Sequence, residues 1–292
     1  MVIYLAAMIT FFYLMLPTLW IVMCSFMTED ALASIPPKFF PGPSDLTLRH
    51  YYFVFTGFFP GGAEEVVAAA RTVMGVQIAP TIVNSLVISA SVTIINLLLG
   101  IQAAYSFARI RFSGSGKIFI AMIATRLLPY ISMVIPLYVI MKTIGLLDTI
   151  YGLILIYSAL TLPFTTWLLA TYFKALPRSI EEAAAIDGCT IFQTLRKVVL
   201  PLSAPGLIAV GIFAFMDCYG EFIFALILTS TIASRTFPIA LAAMSTEILW
   251  TGRGITLAAT VVALILPIAM AVLFRRYVIQ GLTTQYVVES RE

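Results

Sequence analysis

Six long apolar stretches alternate with polar segments along the chain. They cover roughly residues 2–27, 84–108, 117–142, 149–173, 205–230 and 254–278. Each stretch reaches the length of about 20 mostly apolar residues that a helix needs to cross a bilayer. The runs are continuously apolar, whereas the strands of a membrane barrel would alternate between apolar and polar positions. The pattern therefore predicts an all-α polytopic membrane protein with six transmembrane helices.

The composition excludes an ordinary soluble domain. The chain is 61% hydrophobic and 11% charged, whereas soluble domains carry about 25% charged residues. The net charge of +3 is too small to indicate a nucleic-acid-binding face. Cys24, Cys189 and Cys218 lie far apart and His50 is the single histidine, so we predict neither a metal site nor a disulfide framework. The cysteines are interpreted as packing residues.

The distribution of Lys and Arg predicts the orientation in the membrane. Basic residues crowd the connections between spans two and three and between spans four and five, and they follow span six. The opposite side carries fewer of them over longer segments. The dense side is predicted to be cytoplasmic, which places both termini inside. The first stretch lacks the basic start and cleavage site of a secretory signal, so it is interpreted as a retained helix.

This topology divides the chain into a first transmembrane helix (1–27), an extracytoplasmic loop (28–83), a core with five further spans (84–284) and a cytoplasmic tail (285–292). The extracytoplasmic loop begins with a proline-rich segment, where fixed φ angles and missing donors exclude a regular helix. Its later part, 63–74, has the pattern of a short amphipathic helix. Both a lid over the outer mouth and a contact surface for an extracellular partner fit this helix.

The connection between spans four and five carries two helix-start signals. Ser179 followed by Glu182 is the pattern of one capping box, and Thr190 followed by Gln193 is the pattern of a second. Gly188 lies between them, where a glycine can end the first helix in the left-handed conformation. The sequence therefore predicts a rigid helix–turn–helix at the cytoplasmic face of the membrane.

The spacing within residues 174–205 resembles the EAA loop of bacterial ABC-importer permeases. Glu182-Ala183-Ala184 is followed after three residues by Gly188, and after nine more by Val198, one residue and Leu200-Pro201. Isoleucine is usual in the family where Val198 stands here. Other segments are similar to the carbohydrate branch of these permeases, and in particular to the maltose-type second permease: Pro136-Leu137-Tyr138, Gly145-Leu146-Leu147-Asp148-Thr149, Leu162-Pro163-Phe164, Glu221-Phe222 and the C-terminal 276–283.

The resemblance implies a permease subunit of an ATP-driven, binding-protein-dependent importer in the bacterial inner membrane, with 84–284 as the permease core. It implies a second permease, two cytoplasmic ATPase subunits and an extracytoplasmic solute-binding protein as partners. ATP and Mg would bind to the ATPases, so this chain would be neither an enzyme nor a cofactor carrier. A sugar or oligosaccharide is the expected substrate, with a sugar acid or sugar phosphate also open. The short helix at 181–188 would be the coupling helix, which docks into a cleft of the ATPase. The docking residues would be Glu181, Glu182, Ala183, Ala184, Asp187 and Gly188.

Three charged residues fall inside the predicted spans. Inserting a charge there costs about 2.5–3.5 kcal/mol on insertion scales, so each of these residues is expected to have a structural or functional role. Arg126 lies in span three, and Asp217 and Glu221 lie in span five at a spacing that predicts one helical face. Two interpretations stay open, namely that these residues line the path of a sugar or that they form a structural ion pair. Asn84, at the start of span two, is expected to be an interfacial cap.

Two other functional classes make different predictions. A self-sufficient secondary transporter or channel would show inverted repeats or discontinuous spans, together with an ion-coupling site, and the sequence contains no evident repeat. A membrane-embedded enzyme would need a catalytic group, and no candidate is present. The segment Gly114-Ser115-Gly116-Lys117 lacks the earlier glycine and the following Ser or Thr of a phosphate loop. The nucleotide site is therefore expected on another chain.

Overall fold

A computed structural model describes residues 2–56, 78–110, 112–246 and 252–289, and within these ranges the chain is helical with no extended strand. Three short turns of other helix types lie at Pro43–Asp45, Thr125–Leu127 and Leu195–Val199. The α-helices are α1 Val2–Ser25, α2 Glu29–Leu32, α3 Arg49–Thr56, α4 Ile78–Arg109, α5 Ser115–Ala124, α6 Tyr130–Thr143, α7 Ile150–Ala175, α8 Arg178–Ile186, α9 Ile191–Thr194, α10 Leu200–Leu202, α11 Ala204–Tyr219, α12 Ile223–Leu228, α13 Phe237–Thr246 and α14 Arg253–Glu289.

Four of the described helices are long and apolar enough to cross a membrane singly: α1, α4, α7 and α14. Two bent pairs raise the number of spans to six if each pair crosses once. Ser115–Leu127 meets Tyr130–Thr143 at 98°, and Ile191–Leu202 meets Ala204–Tyr219 at 80°. The predicted all-α polytopic class is confirmed.

The third predicted span, 117–142, is broken rather than continuous. Leu128 adopts an extended conformation with ψ of 127°, and Pro129 follows it. Proline disfavours the helical conformation of the residue before it, because its ring crowds that residue's backbone. The 98° bend between the two halves therefore begins where the sequence carries Leu128-Pro129.

The fifth predicted span, 205–230, is also interrupted. Helix α11 ends at Tyr219, and α12 begins only at Ile223. The carboxylate of Glu221 accepts hydrogen bonds from the amides of Phe224 at 3.0 Å and Ala225 at 3.2 Å. It thereby satisfies amides that the new helix start leaves unpaired. The prediction that Asp217 and Glu221 share one helical face is therefore wrong.

The chain forms two compact units, Met1–Val83 with Thr236–Ile268 and Asn84–Arg235 with Ala269–Glu292. In the first unit, α1 leaves its apolar side chains exposed, as a lipid-facing helix does. The core of this unit comprises Phe53, Val54, Ile78, Phe237, Met244, Ile255, Ala258 and Ala259. The core of the second unit comprises Ala104, Tyr105, Ala108, Leu169, Ala170, Phe173, Leu195, Val199 and Val210.

Smaller predictions have mixed outcomes. Residues 35–41 contain no helix, as predicted, and the amphipathic helix predicted at 63–74 lies outside the described residues. Cys24 and Cys218 are buried, in agreement with a packing role, whereas Cys189 is partly exposed. Asn84 does not cap a helix start, because α4 already begins at Ile78.

Candidate functional site

Helix α8 begins differently from the sequence prediction. Its first residue is Arg178, and Pro177 occupies the capping position without a side-chain hydrogen bond to the helix. Ser179 therefore lies inside the first turn, and its predicted capping box with Glu182 is wrong. Proline is tolerated at this position, because its φ of −59° is compatible with a helix start and it has no N–H that would need a partner there.

The end of α8 and the start of α9 agree with the prediction. Gly188 has a φ of +82°. Its amide donates to the carbonyl of Ala185 at 3.0 Å, and the amide of Cys189 donates to the carbonyl of Ala184 at 3.0 Å, which is the Schellman pattern of a helix end. Reciprocal hydrogen bonds between Thr190 and Gln193 then start α9. We call α8, α9 and the turn between them, residues 178–194, the knob.

A largely buried ion pair anchors the knob to α4. The Nε of Arg109 lies 2.6 Å from Oε1 of Glu181, and the two side chains are only 9% and 15% exposed. The hydroxyl of Tyr105 donates to Oε2 of Glu181 at 2.9 Å, and Nη2 of Arg109 donates to the carbonyl of Leu176 at 2.8 Å. Glu181, expected on the docking surface, is thus placed against α4. Sequence reasoning used the basic residues that follow span two, Arg109 among them, only for topology, and it missed Tyr105.

The knob also carries exposed apolar side chains. Ile186 is 87% exposed, and Ile191 and Phe192 are about two-thirds exposed. The exposed predicted docking residues are Glu182, Ala183, Asp187 and Gly188, whereas Ala184 is buried. Large exposed apolar side chains bordered by polar residues are typical of a surface that binds another protein or a membrane.

Arg126 and Asp217 meet within the second unit. Nη2 of Arg126 lies 2.9 Å from Oδ2 of Asp217, and the side chains are 22% and 44% exposed. The guanidinium carbon of Arg126 also lies 5.0 Å from the centroid of the Phe164 ring. An open cavity of about 550 Å³ is lined by Arg126, Phe164, Phe213, Met216 and Asp217. The ion pair joins α11 to the bend of the third span.

Glu221 takes no part in that ion pair. Besides capping α12, its carboxylate accepts a hydrogen bond from the hydroxyl of Tyr157 at 2.5 Å. The backbone carbonyl of Tyr157 in turn accepts a hydrogen bond from Thr161. The structure therefore brings together two of the three charges that the sequence singled out and places the third in a separate structural contact.

Residues 96–283 match the protein family described as the binding-protein-dependent transport system inner membrane component. The trehalose/maltose transport system permease protein MalG of Thermococcus litoralis is 37% identical over 68% of this chain and 72% of its own length. The sulfoquinovosyl glycerol transport system permease protein SmoH of Agrobacterium fabrum is 33% identical over 91% and 86%. The trehalose transport system permease protein SugB of Mycobacterium tuberculosis is 33% identical over 93% and 92%.

Solved structures share the fold at lower sequence identity. A chain of a bacterial ABC transporter involved in the import of the acidic polysaccharide alginate superposes with a TM-score of 0.74 at 20% identity, covering 94% of this chain and 95% of that chain. A chain of the MetNI methionine ABC transporter in an inward-facing conformation gives a TM-score of 0.57 at 15% identity, covering 70% and 95%.

Proposed function

The chain belongs to the family of binding-protein-dependent transport system inner membrane components, and from this premise we propose that it forms one half of the translocation pathway of an ATP-driven sugar importer. It is a multi-pass permease subunit of a binding-protein-dependent importer. Interrupted spans would also suit a self-sufficient secondary transporter. Relatives named as permease proteins of transport systems do not favour that alternative.

The proposed substrate is a sugar or oligosaccharide, with a sugar acid or sugar phosphate included. The relatives named above are named for trehalose, maltose and sulfoquinovosyl glycerol. These compounds all present many hydroxyl groups, which hydrogen-bond to charged and polar side chains. A transport assay that compares uptake of radiolabelled disaccharides with uptake of a radiolabelled amino acid tests the proposed substrate class. Uptake of the amino acid alone would refute the proposal of a sugar.

The proposed assembly contains a second permease, two cytoplasmic ATPase subunits and an extracytoplasmic solute-binding protein. ATP and Mg bind to the ATPases in this proposal, and the present chain contributes no nucleotide site. The knob supports this assembly, because it is held to α4 by a largely buried ion pair and also exposes apolar side chains. A stiff and anchored element can transmit a displacement that a flexible linker would absorb.

The knob presents a mixed surface to the proposed ATPase. Ile186, Ile191 and Phe192 offer apolar area, and Glu182 and Asp187 add negative charge beside it. An interface of this kind combines buried apolar anchors with charged groups at the rim. Basic residues around an apolar cleft on the ATPase would therefore complement it.

Substitution at Ile186 tests the docking. The chain carries an affinity tag and is purified from native membranes, and the ATPase activity that co-purifies is measured. Ile186→Asp is expected to lower that activity on the order of tenfold or more, because it places a charge in the centre of an apolar contact. Ile186→Val is the matched control and should retain the activity. Since Ile186 is 87% exposed, both variants should reach the membrane normally, and equal activities would refute the docking surface.

We further propose that Arg126 and Asp217 line the path of the sugar. Asp217 is 44% exposed within this chain, and a charge that faced lipid would be costly. The pair therefore faces a water-filled path or the second permease. A carboxylate and a guanidinium group can accept and donate hydrogen bonds to sugar hydroxyls, and the open cavity beside them offers room.

Single and double variants distinguish an ion pair that lines the sugar path from one that serves only as a structural contact. Asp217→Asn and Arg126→Met should each reduce the rate of uptake on the order of tenfold, because a hydrogen bond to a charged group contributes about 1.5–3 kcal/mol. If the pair lines the path, the double variant stays defective while the assembled complex keeps its normal thermal midpoint. Recovery of uptake in the double variant would show that the pair serves only as a structural contact.

A further inference from the structure

Two neighbouring spans of the second compact unit are continuous helices, whereas the third and fifth spans of the chain are not. Helix α4 runs without interruption to Arg109, and α7 runs from Ile150 to Ala175. By contrast, the third span bends by 98°, and the fifth is interrupted after Tyr219. Uninterrupted helices are stiff, because backbone hydrogen bonds link each turn to the next along the axis. Helix α7 keeps its helical course through Pro163, the one interior residue between Ile150 and Ala175 that donates no such bond. Helices α4 and α7 are therefore suited to carry a displacement over a distance.

At one end, both helices are attached to the knob. Helix α7 enters the knob through only Leu176 and Pro177. Helix α4 is attached through the buried contacts of Arg109 and Tyr105 with Glu181. The guanidinium group of Arg109 also reaches the carbonyl of Leu176, so that one side chain holds the end of α4, the end of α7 and the first turn of α8 together.

At the other end, both helices are attached to the segment 230–235, which follows α12. The side-chain amide of Asn84 in α4 lies 3.0, 3.2 and 3.0 Å from the carbonyl oxygens of Ile232, Ala233 and Arg235. Asp148, two residues before α7, accepts hydrogen bonds from the amides of Ser230 at 2.7 Å and Thr231 at 2.9 Å, and from the hydroxyl of Ser234.

The electrostatics at Asp148 show how firmly this segment is held. Burial raises the pKa of the Asp148 carboxyl, but the hydrogen bonds from the Ser234 hydroxyl and from the Thr231 and Ser230 amides outweigh it and lower the pKa to about 2. The charged form is the one that accepts all of these bonds. The attachment is therefore complete throughout the physiological pH range.

Between their ends, α4 and α7 pack as one body. The side-chain amide of Asn96 donates to the hydroxyl of Thr161 at 2.5 Å in a fully buried position. One turn further along, a Cβ at Gly100 would lie 3.4 Å from Thr165 and 3.5 Å from Leu169, so the glycine permits close approach of the two helices. Buried polar contacts of this kind fix the register between helices, because sliding would leave them unsatisfied.

We infer that α4 and α7 form a rigid frame that makes the segment 230–235 move together with the knob. Asn84 and Arg109 lie about 38 Å apart at about 1.5 Å per helical residue, which exceeds the roughly 30 Å of the hydrocarbon core. The frame thus links the two faces of the membrane. This inference rests on the proposed function, since the force on the knob comes from the ATPase. Tyr105, Arg109, Asn84 and Asp148 are positioning residues in it.

A fluorescent label at segment 230–235 tests the frame in the assembled complex. Ser230→Cys is labelled with an environment-sensitive dye in a Cys189→Ser background, because Cys24 and Cys218 are buried. A non-hydrolysable ATP analogue is added, and the spectral shift is recorded together with sugar uptake per ATP hydrolysed. The complex without further substitution should show a nucleotide-dependent shift.

Variants at both ends of the frame should then lose the shift. Asn84→Ala and Tyr105→Phe are expected to reduce the spectral shift and the uptake per ATP on the order of tenfold, within the range reported for residues that couple distant sites. The co-purifying ATPase activity should persist in Asn84→Ala, which distinguishes a broken frame from failed docking. Gln102→Ala is the matched control, because the exposed side chain of Gln102 donates to the carbonyl of Leu98 within α4 itself and, among the described residues, joins α4 to neither end of the frame.

Three results would overturn the frame. One is a full shift and full uptake per ATP in Asn84→Ala. Another is uptake that proceeds while the label at position 230 never responds to nucleotide. The third is an equal loss in Gln102→Ala, which would show a general sensitivity of α4. If no ATPase co-purifies with any version of the chain, it is instead the proposed function that fails.

Discussion

Gly188 ends α8 in the left-handed region. Substitutions there test whether the glycine is required for its backbone conformation or for its small size. A Cβ added at Gly188 would meet no heavy atom of this chain within 4 Å, so the cost of a side chain comes from the backbone alone. An L-residue in this conformation costs about 1–2 kcal/mol, whereas asparagine tolerates it better than alanine does. If docking of the knob requires this helix end, the cost corresponds to about a 5- to 30-fold weaker association.

The assay is solute-stimulated ATPase activity of the purified complex as a function of added ATPase subunit. Gly188→Ala should weaken the association more than Gly188→Asn, although alanine is the smaller residue. The backbone argument requires this order. The reverse order would refute it, because it would show that the ATPase packs so closely on Gly188 that side-chain size decides. Equal behaviour of both variants and the unsubstituted chain would contradict a role for this helix end in docking.

Other substitutions test separate contacts. Glu221→Ala should lower the thermal midpoint of the complex by more than Glu221→Gln, because the buried hydroxyl of Tyr157 loses its acceptor, at a cost of about 1–3 kcal/mol; equal midpoints would contradict this. The stabilisation that Asp148 provides should be complete above about pH 4, the ordinary carboxyl pKa, and lost as the pH falls through about 2. The difference in thermal midpoint between Asp148→Asn and the unsubstituted chain should therefore vanish in acid. A difference that persists there would show that the stabilisation does not depend on the negative charge of Asp148. Glu29→Gln should loosen the start of α14, where the carboxylate accepts from the amide of Gly254 at 2.8 Å, and unchanged amide exchange at Gly254 would speak against this contact.

The sequence predicts the helical membrane class well, because span length and hydropathy are properties of single segments. The end of α8 at Gly188 and the start of α9 at Thr190 were also predictable, since each depends on residues within one turn. The start of α8 was predicted two residues late, since the capping position is Pro177 and not Ser179. In that case Pro177 determined the entry, and the hydroxyl of Ser179 was not used.

The interruption of the fifth span could not be read from hydropathy. Residues on both sides of Glu221 are apolar, and only the carboxylate itself signals that a new helix start is being capped. The predicted shared face of Asp217 and Glu221 assumed an unbroken helix and failed for this reason. By contrast, the interruption of the third span had a local signal in Pro129.

The contacts that position the knob join residues far apart in the chain. Arg109 and Tyr105 reach Glu181 only because α4 and α7 pack side by side. No spacing within one segment encodes such a contact, and so sequence reasoning assigned Glu181 to the docking surface. The same limit applies to Asn84, whose partners lie at 232–235.

Uptake into sealed vesicles most directly tests whether an external motor drives this chain through the knob. The chain is reconstituted alone and, in parallel, together with its co-purified subunits and nucleotide. Accumulation of sugar against a gradient is expected only in the second preparation and only when ATP is present. Accumulation by the chain alone would contradict the account.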